Sequence, residues 1–199
     1  GRLIWPWPRR PSDRPTGKVL QMAESPTIPD VRVGQGFDVH SFSDDPDRPM
    51  MLGGVVFDGP GLVGHSDADA VAHAVTDALL GAAGLGDIGQ RYPDTDEAFA
   101  GADSMALLAD AAAAVASEGW TVANVDCTVI LEAPKLAPRQ DEMQAVLTTA
   151  VGGPVTVKGK RAEGLGALGR QEGVACFAVA LLLRQGGLPQ TERSEGDGS

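Results

Sequence analysis

The hydrophobic pattern between residues 31 and 186 changes period several times. Val31 to Val39 carries apolar residues at alternate positions, the spacing of a half-buried strand, and Met51 to Phe57 predicts a second strand. The run HSDADAVAHAVTDALLGAAGL then switches to helical spacing. Ser66 is the predicted N-cap, Asp69 the third helical residue of a capping-box-like start, and Gly84 or Gly86 the stop. ADSMALLADAAAAVASEGW predicts a second helix, from Asp103 or Ser104 to Gly119. WTVANVDCTVIL returns to alternation and puts Val125, Cys127, Val129 and Leu131 on one face of a long strand. PRQDEMQAVLTTAVGG predicts a third helix, PVTVKGK a strand, and GVACFAVALLLR either a buried strand or a short helix, since period alone does not separate the two. Strands and helices mixed in this way predict an α/β sandwich with helices over one face of a sheet. One domain is expected over 31–186. Residues 1–30, rich in proline and without a regular period, and the polar residues 187–199 read as tails or a linker.

Composition narrows the classes. Hydrophobic residues make up 43% and aromatics only 5%, so the core must be built from Val, Leu, Ile and Ala. No apolar run approaches the ~20 residues that span a bilayer. Leu3 to Trp7 is short, interrupted by Pro6 and followed by Arg9 and Arg10, the reverse of a secretory leader. Cys127 and Cys176 lie in apolar stretches without metal-ligand spacing, as buried free thiols do. A soluble, cytoplasmic protein is expected. The net charge of −11 argues against a nucleic-acid partner. Residues 31–131 hold 16 acidic against 3 basic residues, whereas residues 132–170 hold 4 acidic against 6 basic. An acidic half suits bound cations and a basic half suits an anion; a solvated acidic surface accounts for most of the carboxylates.

The three histidines, His40, His65 and His73, fall within 34 residues, among Asp38, Asp67 and Asp69. Asp38 and His40 are two apart on a strand, so they share a face. Asp69, His73 and Asp77 are four apart on a helix and share another, where either aspartate could accept the second N–H of His73. Asp38, His40 and His73 together offer one carboxylate oxygen and two imidazole nitrogens, a set suited to Zn²⁺ or a similar divalent ion with one position open. His65 and Ser66 are expected at a helix N-terminus, where free N–H groups favour an anion. A metal beside an anion site points to phosphate chemistry. Any one of these residues alone would most often be structural.

GFDVHSF, GHSDADAVAHAVTDALLGAAGLGDIG, YPDTD, GADS, NVDCTVI, APK and GRQEGVA follow in this order over residues 31–186. In these motifs the chain resembles the 2-C-methyl-D-erythritol 2,4-cyclodiphosphate synthases of non-mevalonate isoprenoid biosynthesis. The resemblance implies a ferredoxin-like α/β subunit in a homotrimer, with the sheets around a central axis and active sites between subunits. It implies release of CMP from 4-diphosphocytidyl-2-C-methyl-D-erythritol 2-phosphate as an eight-membered cyclic diphosphate closes, assisted by zinc and a second cation, Mg²⁺ or Mn²⁺. Position by position, it makes Asp38, His40 and His73 the zinc ligands and Glu163 the ligand of the second metal. His65 becomes a transition-state stabiliser, and Ser66 a phosphate contact. Asp87, Ile88 and Gly89, then Tyr92, Pro93, Asp94, Thr95 and Asp96, become substrate-binding segments. Ala133, Pro134 and Lys135 become the cytosine loop. Arg170 and Glu172 become a pair near the trimer axis, where relatives can hold an isoprenoid diphosphate.

The chain departs from the family where VKGKRAEGLGALGR replaces a run of threonines before the glutamate. Lys160 and Arg161 stand where hydroxyls usually hold phosphates, and Arg161 is expected to take over transition-state stabilisation with a guanidinium that suits phosphate geometry, the alternatives being an altered metal dependence or rate and a basic loop that points into water. Ala68 stands for a usual glycine and Ala167 for a usual aromatic residue. Two other functions remain open: a non-catalytic isoprenoid-diphosphate-binding trimer, and a metal-dependent phosphohydrolase.

Overall fold

The structure is a computed structural model that describes residues 30–184. The expected tails lie outside the described residues, except that Asp30 opens the first strand. In chain order the elements are β1 (Asp30–Ser41), β2 (Met50–Leu52), β3 (Val55–Phe57), α1 (Ala70–Ala83), α2 (Ile88–Arg91) and α3 (Ser104–Ser117). They continue with β4 (Thr121–Ile130), α4 (Gln140–Val151), β5 (Val155–Lys160), α5 (Gly166–Gly169) and β6 (Gly173–Arg184).

Four strands form the main sheet in the order β1-β6-β4-β5. The β1–β6 and β6–β4 pairs are antiparallel, and β4–β5 is parallel. The expected α/β layering is present: α1 lies on β1 and β6, α4 lies on β5, and α3 bridges α1 and α4. The connectivity differs from a ferredoxin-like βαββαβ chain. Here the main-sheet strands and their helices run β-α-β-α-β-β, so β4 and β5 are parallel neighbours joined through α4. The apolar run 173–184 resolves as strand, because it is central and β1 and β4 take its backbone groups on both sides.

The close seating of α1 on β1 comes from small residues. A Cβ at Gly34 would lie 2.0 Å from the Ala78 carbonyl oxygen. Gly36 is equally confined, while Ala74, Ala78 and Ala82 present only methyl groups from the helix. Gly36 thus serves the helix–strand contact.

Two local expectations change. Residues 51–57 form a hairpin, not one strand, because Gly53 and Gly54 adopt φ 61° and 73°, which a tight two-residue turn requires. Asp69 is the N-cap of α1, not its third residue: its carboxylate accepts from the Val71 and Ala72 amides at 3.0 and 3.1 Å. Ser66 lies in the preceding loop. The same fully buried carboxylate accepts from the Gly53 and Gly54 amides at 2.8 and 2.7 Å, tying the hairpin turn to the helix start. Burial pushes its pKa up; the amides from the hairpin and helix work in the opposite direction.

The sheet face away from the helices is apolar on β1 and β6. Val33 is 66% exposed, and Phe37 and Phe177 stack at 4.7 Å between ring centroids while 46% and 43% exposed. Cys127 and Cys176 are buried and free.

Candidate metal centre and adjoining clefts

Alternation along β1 turns Asp38 and His40 toward the helix side, and α1 brings His73 above them. Asp38 Oδ2 lies 2.9 Å from His40 Nε2 and 3.0 Å from His73 Nδ1, and the two imidazole nitrogens are 3.2 Å apart. These three ligand atoms form the one cluster suited to a metal among the described residues. The donor set passes a geometric test for a tetrahedral ion, whose ligand atoms at ~2.0–2.1 Å would sit about 3.3 Å from one another. His40 Nδ1 donates to the Val63 carbonyl at 2.7 Å. In the neutral imidazole that proton leaves Nε2 bare, as a metal ligand must be.

The electrostatics follow from this packing. Burial acts to raise the Asp38 pKa, but hydrogen bonds and charge interactions with His40 and His73 outweigh it and hold the carboxyl well below the usual range. Burial acts to lower the His40 pKa, but Asp38 outweighs it and holds the imidazole above its ordinary value.

Neither aspartate on the His73 face of α1 orients that ring. Asp69 is engaged in capping, and Asp77 Oδ1 accepts from the Ile88 amide at 2.8 Å. His73 Nε2 instead faces Ser104 Oγ at 2.9 Å and Ser66 Oγ at 3.1 Å. Ser104 was legible in the sequence only as a helix start; its place beside His73 depends on α3 packing on α1.

A cleft of about 400 Å³ opens beside the cluster. His40, His73, Ser66 and the exposed His65 line one side, and Ile88, Gly89, Tyr92 and Asp94 the other. The expected helix-terminus anion site is absent from α1, since Asp69 already takes its first free amides; His65 and Ser66 border the cleft from a loop. Ala68 in that loop is buried with φ 58°, a conformation that suits the family's usual glycine. The Tyr92 hydroxyl is bound to Asp110 at 2.6 Å and the Leu107 carbonyl at 3.0 Å. Burial, aided by Asp110, pushes its pKa up to about 12, so only the ring is free for a ligand. Asp87 caps α2 and Asp96 caps the turn at 97–99. Asp87, Pro93, Thr95 and Asp96 do not line the cleft.

A second cavity, of about 210 Å³, is lined by Pro134, Lys135, Lys160 and Arg161 beside Glu132, without Ala133. Lys160 and Arg161 therefore border a cavity rather than a featureless surface. The two cavities share no lining residue. Glu163, exposed at φ 53°, joins neither the metal cluster nor either cavity. Arg170 is exposed and paired with Glu172 at 2.6 Å.

Fold and site together define a layered α/β protein with an Asp-His-His divalent-metal centre at the mouth of a cleft. The YgbB family model matches residues 31–183, and the chain belongs to this family. It is 54% identical over 163 residues to the 2-C-methyl-D-erythritol 2,4-cyclodiphosphate synthase of Bordetella avium, covering 80% of this chain and 99% of that protein. It is 52% identical over 160 residues to the bifunctional enzyme IspD/IspF of Anaeromyxobacter dehalogenans, covering 79% of this chain and 41% of the relative. The chain thus matches about two fifths of the length of such bifunctional relatives. The bifunctional IspDF of Campylobacter jejuni superposes with a TM-score of 0.75 at 41% identity, covering 79% of this chain and 43% of that one. A 2C-methyl-D-erythritol-2,4-cyclodiphosphate synthase in its CDP-bound form superposes with a TM-score of 0.69 at 37% identity, covering 76% and 99%.

Proposed function

We propose that this chain converts 4-diphosphocytidyl-2-C-methyl-D-erythritol 2-phosphate to 2-C-methyl-D-erythritol 2,4-cyclodiphosphate and CMP. The observation that carries this reading is the convergence of Asp38, His40 and His73 on one point beside the cleft. A 2-phosphate oxygen bonds to the β-phosphorus, the bond from that phosphorus to the bridging oxygen breaks, and CMP leaves with the oxygen. Asp38, His40 and His73 would hold Zn²⁺, and Glu163 would hold Mg²⁺ or Mn²⁺. Bound there, the cations supply Lewis-acid charge neutralisation and a template for two anionic phosphates.

This chain's own residues do the positioning. His65, at the rim, stabilises charge on the reacting phosphate, and Ser66 donates its hydroxyl to a phosphate oxygen. Ile88, Gly89, Tyr92 and Asp94 hold the erythritol portion and exclude water, which would otherwise give a linear product. Asp87, Pro93, Thr95 and Asp96 shape that wall from behind. Ala133, Pro134 and Lys135 receive the cytosine. Lys160 and Arg161 cradle the diphosphate in place of hydroxyls.

The two cavities act as halves of one site completed between subunits of a homotrimer. The exposed Val33, Phe37 and Phe177 support sheets packed around a central axis, since a stripe of this kind marks an association surface. Glu163 then approaches a diphosphate from a neighbouring subunit, and Arg170 faces a central cavity that takes an isoprenoid diphosphate. Two buried free thiols suit a reducing cytoplasm.

The test is product analysis with Zn²⁺ and Mg²⁺ present. CMP and the cyclic diphosphate should form in a ratio of about one, as the ring closure requires. A linear product would identify a phosphohydrolase. Tight isoprenoid-diphosphate binding without CMP release would identify a binding trimer. Either result overturns the cyclase reading.

A further inference from the structure

We propose that Asp67 and Ser104 form a positioning relay that fixes the tautomer of His73 and presents its bare Nδ1 to the metal centre. The proposal rests on the metal reading of Asp38, His40 and His73 and deepens it.

The argument is a proton count. Ser104 opens α3 and is 1% exposed, so water cannot complete its hydrogen bonds. Its hydroxyl contacts three groups: Asp67 Oδ1, His73 Nε2 at 2.9 Å and Ser66 Oγ at 3.2 Å. Asp67, as a carboxylate, can only accept, and it also takes the Ser104 amide on Oδ2 at 3.2 Å. The single Ser104 hydroxyl proton therefore goes to Asp67. Its oxygen must then accept, and His73 Nε2–H is the nearer donor. A neutral imidazole protonated on Nε2 is bare on Nδ1, the atom 3.0 Å from Asp38 Oδ2.

The rival arrangement puts the proton on Nδ1, toward Asp38, and has Ser66 donate to a bare Nε2. Ser104 would then set a lone pair against the lone pair of Nε2 at 2.9 Å, and the Ser66 proton would already be used. The Ala68 amide cannot help, because it donates to Ser66 Oγ at 3.1 Å. The Nε2–H form satisfies every contact on the Ser104 side of the ring and leaves the Ser66 hydroxyl proton free for a ligand in the cleft; it turns bare Nδ1 toward Asp38 Oδ2 at 3.0 Å, two acceptors that a cation between them joins. Val63 does the same for His40 through its carbonyl. The two imidazoles thus present bare nitrogens of opposite kind, Nε2 and Nδ1, each fixed by a partner on its far side.

The test uses the full chain and reads zinc affinity, by competition with a chromophoric chelator, and the His73 tautomer, by long-range ¹H–¹⁵N spectra of zinc-free protein. The wild type should show Nε2–H. Ser104→Ala should weaken zinc binding about 10–100-fold, the usual effect of losing a group that orients a metal ligand. Ser104→Thr, which keeps the hydroxyl, should retain both affinity and tautomer. Asp67→Ala frees the Ser104 proton to turn toward Nε2 and should move His73 to the Nδ1–H form; this variant carries the test if Ser104→Ala fails to fold. An Nδ1–H wild type, or a Ser104→Ala protein with unchanged zinc affinity, overturns the relay while leaving the metal site standing. A wild type that binds no zinc overturns the metal reading and the relay with it.

Discussion

A Cβ on Gly36 would sit 1.9 Å from the Ala74 carbonyl oxygen and 2.8 Å from the Ala78 amide nitrogen. No rotamer relieves such a collision, because both atoms belong to the backbone of α1. This contact sets the distance between the strand that carries Asp38 and His40 and the helix that carries His73. Gly36→Ala should therefore lose about 1–3 kcal/mol of stability or more, as overpacking does, and weaken zinc binding in parallel. Urea unfolding and zinc titration of the same protein check this; undiminished zinc affinity would mean that the helix–strand spacing does not control the site.

His40→Ala should lose stoichiometric zinc together with activity, because it removes one of three converging donors. Metal content after dialysis is the readout. Retention of one zinc per chain would take His40 out of the ligand set.

The site should also respond to pH with opposite trends in its two forms. His40 is raised above its ordinary 6.5 by Asp38, although burial acts the other way. Its contribution to the metal-free protein is fully present below 6.5 and is lost as pH rises through the folded value. Asp38 is lowered from 3.8, so its contribution is present above 3.8 and is lost as pH falls through the folded value. Metal-free stability from this pair should be greatest between 3.8 and 6.5 and should decline as pH rises above 6.5. Zinc needs the proton gone from His40, so stabilisation by zinc should grow over the same rise. Thermal melts with and without zinc at stepped pH would show it; parallel curves would count against a metal that displaces the His40 proton.

Asp69→Ala should be among the most damaging substitutions outside the cluster. It removes a helix cap and leaves the Gly53 and Gly54 amides without their acceptor in a buried site. A loss of about 2–5 kcal/mol combines the cap with the unpaired amides. Denaturant unfolding measures it, and a loss below about 1 kcal/mol, the level of a cap alone, would show that the hairpin finds another acceptor.

Arg161→Ala should lower kcat about 10²-fold, the scale of one lost transition-state donor. Arg161→Thr should lose less, since a hydroxyl is the usual family residue there. Equal loss in both variants would assign Arg161 a role that a hydroxyl cannot fill.

Phe177→Asp puts a charge against Phe37 on the exposed sheet face and should convert the proposed trimer to monomers that still bind zinc and no longer turn over substrate. Sedimentation and activity measured on the same sample decide it; a fully active monomer would end the reading of a site shared between subunits.

Much of this protein was present in its sequence. Periodicity gave β4, α3 and α4 because each has one buried and one open face, which writes itself as period two or period three to four; β1 alternates too, but its apolar Val31, Val33, Phe37 and Val39 lie on the exposed face, and α1 is buried nearly all round. The metal set was legible because D-x-H is compelled onto one side of a strand and the third histidine stood on a neighbouring helix. Other features were outside the reach of local pattern. Residues 173–183 are apolar throughout, and only pairing with β1 and β4 makes them a strand. Asp69 reads from the sequence as the third residue of the helix; the structure makes it the cap, which also holds the Gly53–Gly54 turn of a distant hairpin. Ser104, 31 positions from His73, could not be connected to it by any spacing rule. The sequence by itself determined which chemical groups exist and which way each faces along its own element. The tertiary structure decided which of those faces meet, because hydrogen bonds and lone pairs act over about 3 Å and only the packing of α1 and α3 on the sheet brings residues that far apart in sequence within that distance.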